Sequence, residues 1–184
     1  DGERFVLPSL GAITWVVGPL GSGKTRLCHA LADALAGGAF VGLEREAPGV
    51  VDAALASRVD DVLARLATDG AVVGAALRAL LVALLWPGRT PVVDLVEDGL
   101  DGGTQQALGR WLRAGDAPRP LVLMTRSSAL LDATQAGPGE QVLWCPANHA
   151  PPSVVLPREG ARGFEAVRSC LGSPEARARA GRLR

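Results

Sequence analysis

Eight residues, Gly18-Pro19-Leu20-Gly21-Ser22-Gly23-Lys24-Thr25, combine glycines, a lysine and a hydroxyl at the spacing G-x-x-x-x-G-K-[ST]. Gly18, Gly21 and Gly23 let successive backbone N–H groups turn inward onto phosphate oxygens, and the helix that follows adds the positive end of its dipole. Lys24 is placed to reach the β- and γ-phosphates, and the Thr25 hydroxyl to bind Mg²⁺. An apolar run at 12–17 enters the loop and a helix-forming run at 26–36 leaves it, the context that gives this motif its mechanism. With Arg26 at the helix start, residues 18–26 form the expected binding set for a nucleoside triphosphate, taken as ATP with Mg²⁺.

Such a loop needs a carboxylate at the end of a neighbouring strand to hold the metal. Asp94, after Pro91-Val92-Val93, is the candidate, so Thr25 and Asp94 are the expected metal residues. The run around it is apolar on both sides, as expected in the middle of a parallel sheet.

The elements that would position these groups read as strands alternating with helices. Strands are expected at 5–7, 12–17, 39–43, 91–96, 121–125 and 141–145. Helices are expected at 24–35, 50–67, 72–86, 104–113, 128–133 and 164–171. This pattern predicts an α/β domain of three layers with a mostly parallel central sheet, of the P-loop NTPase type. A Pro-rich stretch (Pro146, Pro151, Pro152, Pro157) divides a nucleotide-binding domain at 1–157 from a helical, basic appendage at 158–184. In that appendage Glu175 is the last acid, against Arg177, Arg179, Arg182 and Arg184.

The 184 residues hold 19 Lys plus Arg and 19 Asp plus Glu, so no global field draws the chain to nucleic acid or to an anionic membrane. Cys28, Cys145 and Cys170 lie far apart without metal-ligand spacing, which suggests reduced thiols and a cytoplasmic protein. The longest apolar stretch, 75–86, is broken by Arg78 and stopped by Pro87-Gly88, too short to cross a bilayer. No segment has the pattern of a secretion signal, and the chain begins at Asp1 rather than Met, as a fragment or trimmed product would. His29 and His149 lack partners at metal spacing and read as helix-surface and loop residues. Trp111 with Leu108 and Leu112 reads as core, and Trp144-Cys145-Pro146 is an unusual strand exit with no mechanism attached.

Three blocks carry a family resemblance. Asp94-Leu95-Val96-Glu97-Asp98-Gly99-Leu100-Asp101 resembles the Walker B to D-loop run of ABC-type ATPases, with Asp94 and Gly99-Leu100-Asp101 in register. Leu123-Met124-Thr125-Arg126-Ser127-Ser128 with Leu130-Leu131-Asp132 is similar to that family's switch segment. Leu7-Pro8-Ser9-Leu10-Gly11 to Gly18 resembles the approach to the phosphate loop, especially in the non-transporter branch.

The resemblance implies an ABC-ATPase-like fold with a reduced helical subdomain. It also marks departures. Leu95 stands where the family has its catalytic Glu, and Arg126 where it has the switch His. The signature segment would fall near Gly70 to Gly74 without the Ser-Gly-Gly pattern, and no Gln precedes Gln105 to serve as a Q-loop. Tyr is absent, so Phe5 would have to stack on adenine. Binding residues are kept while those that activate water are replaced, a loss that typically costs ~10²–10⁴ in rate. Glu97 or Asp98 is the candidate substitute base, and Arg126 a candidate cationic stabiliser of the γ-phosphate.

The expected catalytic set is therefore Asp94, Glu97 and Arg126. The expected function is a nucleotide-dependent switch or assembly subunit with slow or partner-dependent hydrolysis. It would form a homo- or hetero-oligomer through the nucleotide face, within a larger complex. Alternatives are a small P-loop kinase acting on a metabolite and a subunit that binds nucleotide only for stability.

Overall fold

Four runs of β-branched and apolar residues, each four or five long, form the sheet's interior because their side chains are buried on both faces. The structure, a computed structural model, describes residues 6–45, 51–117, 120–147 and 150–172. Its strands are β1 (Ile13–Val17), β2 (Gly38–Val41), β3 (Thr90–Val93), β4 (Leu121–Met124), β5 (Glu140–Trp144) and β6 (Ser153–Val155). They lie in the order β2-β3-β4-β1-β5-β6. All neighbours are parallel except β5 and β6, where Val142 faces Val155 and Trp144 faces Ser153 in antiparallel register. The chain is thus an α/β domain with a mostly parallel six-stranded sheet.

The period-two alternation of strand side chains divides the core into two layers. Ile13, Trp15, Val17, Val93, Leu121, Leu123 and Val142 point to one layer. It is filled by helices α2 (Ala53–Thr68), α3 (Ala75–Leu85), α4 (Gly102–Arg113) and α5 (Phe164–Ser169). Val16, Val92, Val122, Met124 and Leu143 point to the other, where Cys28 and Ala32 of α1 (Lys24–Ala34) cover them. Helix α2 starts where the Asp52 carboxylate accepts from Leu55 N–H at 2.7 Å, a cap that satisfies one of the orphan donors of the first turn. That same layer is stitched at depth by Glu140. Its carboxylate accepts from Trp15 Nε1 (2.8 Å), Arg113 Nε (2.9 Å) and Gly137 N–H (2.8 Å).

Several expected elements shift. The strand expected at 91–96 ends at Val93, because Leu95 takes a left-handed φ of 45° and turns the chain away from the sheet. Residues 128–133 form turns rather than a helix. No strand forms at 6–7, and the Pro-rich stretch contains β6, which Ser153-Val154-Val155 can form because the prolines flank it. Helix α5, expected on an appendage, sends Phe164 and Val167 into the main core, so chain up to Gly172 shares that core with the sheet. Phe5, His149 and the basic residues from 173 onward lie outside the described residues.

Candidate functional site

The carboxyl ends of β1, β3 and β4 open onto one edge of the sheet, the edge at which open parallel sheets place ligands. Because β4 lies between β1 and β3, its exit stands between the glycine-rich loop and Asp94.

Gly18 leaves β1 so close to the next strand that a Cβ there would meet the Cys145 carbonyl oxygen at 2.2 Å. Gly23 takes φ 83° at the start of α1, and no side chain caps that helix. The first-turn amides of α1 are therefore presented to whatever lies in the loop. Leu20 is 82% exposed at the loop tip, and Arg26 is exposed on the first turn of α1.

Lys24 is buried and folds back across the loop. Its Nζ donates to Pro19 O at 2.6 Å and to Ser22 Oγ at 3.4 Å. Burial lowers its pKa, and the Arg126 guanidinium nearby lowers it further.

The Thr25 hydroxyl donates to Asp94 Oδ2 at 2.9 Å, across 69 positions of sequence. Asp94 Oδ1 is buried and has no hydrogen-bond partner. An orphaned carboxylate oxygen beside a hydroxyl is the donor set a hard divalent cation takes up, with the rest supplied by water and phosphate. The residues present would fit Mg²⁺, with Thr25 and Asp94 as the groups to hold it. The structure thus sets the two residues expected at the metal within hydrogen-bond distance of each other.

Glu97 occupies a different place from that of a free base. It is buried, its Oε2 accepts from the Thr125 hydroxyl at 2.8 Å, and its Oε1 accepts from Arg126 N–H at 2.9 Å. Both oxygens hold the exit of β4. Asp98 is exposed, and its N–H closes the turn on Leu95 O at 2.9 Å. Leu95 packs against the apolar layer under α1. Arg126 is half-buried, with Nε buried and unpartnered. Asp101 caps α4. Its Oδ1 accepts from Thr104 N–H at 3.0 Å and its Oδ2 from the Thr104 hydroxyl at 2.9 Å. The Thr104 amide bond, first among several hydrogen bonds, holds the Asp101 pKa below the usual carboxylate value.

Residues to which the sequence reading gave no role of their own surround these groups. Arg45 donates from Nη2 to Leu95 O and from Nη1 to Asp98 O, clamping the turn after Asp94. Thr125 Oγ1 accepts from Ser127 N–H at 3.0 Å, and Ser127 Oγ donates to Gln105 Oε1 at 2.5 Å. Gln105 Nε2 in turn donates to Leu100 O at 2.7 Å, so a buried polar chain ties the 99–101 turn to the β4 exit. A polar triplet at 125–127 closing an apolar strand, and one glutamine among the buried positions of α4, were the available signals. For Arg45 there was none. The thiols play no part here: burial pushes Cys28 up to about 12 and Cys145 up to about 11.

No family model matches the chain, and no curated protein matches it in sequence. Among solved structures, it is similar to a chain in the crystal structure of the complex of archaeal ribosomal stalk protein aP1 and archaeal ribosome recycling factor aABCE1. The identity is 16% and the TM-score 0.45, over 76% of this chain and 37% of that one. The chain thus spans little more than a third of that structure's length. Among the described residues, no helix is long and apolar enough to cross a membrane.

Proposed function

We propose that this chain is a P-loop, ABC-like ATPase domain that binds ATP with Mg²⁺ and works as a nucleotide-dependent switch or assembly subunit. The observation that carries the reading is the meeting of Thr25 and Asp94 at 2.9 Å, with a buried carboxylate oxygen left unpartnered beside it. The loop amides and Lys24 bind the β- and γ-phosphates. Mg²⁺, when bound, would supply charge neutralisation at the phosphates. Asp94 and Thr25 orient it, and Arg126 adds a second cation from β4.

Hydrolysis is slow on this reading. Leu95 offers no proton acceptor, Glu97 spends its oxygens on Thr125 and Arg126, and a guanidinium cannot act as a base. What the chain can do well is respond to the charge state of its ligand. The loop and β4 both touch the phosphates, and Glu97 links β4 to the turn after Asp94. Oligomerisation through the nucleotide face fits the exposed Leu20 on the loop and the exposed Val72 and Val73 beside the 99–101 turn.

The test is titration calorimetry with Mg-ATP on wild type and Lys24→Ala, followed by size-exclusion chromatography with and without nucleotide. Binding that Lys24→Ala abolishes, together with ATP-dependent association, is expected. Absence of binding to any purine nucleotide refutes the proposal, and brisk turnover by the isolated chain refutes its slow-hydrolysis half.

A further inference from the structure

The peptide of Arg126 is held from both sides. Its N–H donates to Glu97 Oε1 at 2.9 Å, and its carbonyl accepts from Gly172 N–H at 2.8 Å. Gly172 comes from the far end of the described chain. Helix α5 is anchored in the core by Phe164 and Val167, and the chain after it runs back to the β4 exit. There Ser127 and Gly172 form a parallel bridge, and Gly172 O accepts from Ser128 N–H at 3.2 Å and from the Ser128 hydroxyl at 3.3 Å. Leu171, half-buried, packs against the core beside it. The Arg126 side chain is the opposite case: its Nε is buried without an acceptor. A fixed peptide therefore carries a guanidinium whose Nε is unspent, near enough to the lysine of the phosphate loop for its charge to act there.

We infer that the strap at 170–172 is a positioning element for Arg126, holding its guanidinium at the terminal phosphate so that the site prefers a triphosphate to a diphosphate. This deepens the nucleotide-binding reading and rests on it. A planar fork engages phosphate oxygens only when its base is steady, and displacements on the scale of 1 Å undo such contacts. Glu97 alone secures one side of the peptide. The strap secures the other, which gives a segment more than forty residues downstream a role in ligand choice.

The experiment measures the ratio of ATP to ADP affinity, with Mg²⁺, on the full chain. Arg126→Ala sets the scale, an expected loss in the ratio of about tenfold to a hundredfold for charge-assisted hydrogen bonds. Gly172→Pro deletes the N–H and is expected to lower the ratio at least fivefold while ADP affinity holds. Gly172→Ala keeps the N–H and is expected to match wild type. In the Arg126→Ala background, Gly172→Pro is expected to change the ratio no further. Leu171→Ser, which unseats the strap without touching the Arg126 peptide, provides the same reading if the proline variant fails to fold.

A wild type that binds neither nucleotide refutes the nucleotide-binding proposal itself. A wild type that binds both, with the ratio flattened by Arg126→Ala but untouched by Gly172→Pro and Leu171→Ser, overturns the strap alone. So does a ratio that Arg126→Ala leaves unchanged.

Discussion

Glu97→Gln separates two roles that the sequence could not. If Glu97 activates water, the amide removes the base, turnover falls by ~10²–10⁴ and folding is untouched. The structure argues otherwise. Glutamine has one acceptor oxygen where the carboxylate has two, and both are in use, at 2.8 Å from the Thr125 hydroxyl and 2.9 Å from Arg126 N–H. The best rotamer keeps the Arg126 bond and turns the NH₂ toward Thr125, whose own proton then loses its acceptor. One charge-assisted bond in a buried site is lost, worth about 1.5–3 kcal/mol. For a chain of this size that lowers Tm by roughly 3–12 °C. Calorimetry gives the Tm, and single-turnover decay of labelled ATP gives the rate. The expected result is a clear drop in Tm with turnover within about tenfold of wild type, smaller than the loss of a positioned base. A Tm within about 1 °C of wild type with turnover down a hundredfold or more refutes the positioning role.

Glu140→Ala is expected to cost about 3–5 kcal/mol, because it leaves the Arg113 guanidinium, 11% exposed, without its partner at 2.9 Å; chemical denaturation reads it directly. Asp94→Ala is expected to hold or raise the stability of the nucleotide-free protein, since it removes a buried unpartnered oxygen, while abolishing the Mg²⁺ dependence of ATP binding in calorimetry. Lys24 carries a pKa lowered from 10.5 by burial first and Arg126 second. The unfolded chain then holds more protons between that lowered value and 10.5, and stability from this group rises with pH across the window. The raised Cys28 and Cys145 pull the other way above pH 9, so the difference between wild-type and Lys24→Met denaturation curves isolates the lysine. Gly99→Ala is expected to cost ~1–3 kcal/mol by the same denaturation measurement, because φ is 72° and the new Cβ would lie 2.8 Å from the Ala76 side chain. Leu95→Glu is expected to lower stability without raising turnover, which a phosphate-release assay checks.

Much of the site was legible because its chemistry is local. The loop 18–25 is contiguous, its glycines answer to backbone geometry, and its lysine and threonine follow at fixed offsets. Asp94 stood out as a carboxylate at the end of an apolar strand, and the structure sets it beside Thr25. The sheet followed from apolar runs at strand length. What could not be read depends on contacts between distant segments. Arg45 reaches the Leu95 carbonyl from a loop with no pattern, and the Arg113–Glu140 pair joins α4 to the start of β5 across 27 positions. The return of Gly172 to Arg126 is a main-chain contact, and glycine backbone carries no compositional signal of its partner. The end of β3 was misplaced because leucine at φ 45° is rare, and no propensity anticipates it.

That one residue also shows why alignment by position misleads at this site. Counting along the chain puts Leu95 in the slot after the metal carboxylate, and suggests that an acidic side chain there would complete the chemistry. In space the left-handed turn lays Leu95 against the apolar layer under α1, with Val16, Cys28 and Met124. Two residues later the same turn has brought Glu97 back to β4, where Thr125 and Arg126 take both of its oxygens. The slot and the carboxylate have been separated by the backbone rather than by the residue types alone. On the proposed reading, fast hydrolysis would therefore require remaking the turn, including the Arg45 clamp on the Leu95 carbonyl. On that same reading, a site arranged in this way holds a charged ligand and registers its terminal group, and the strength of its grip on Arg126 matters more than any water it could activate.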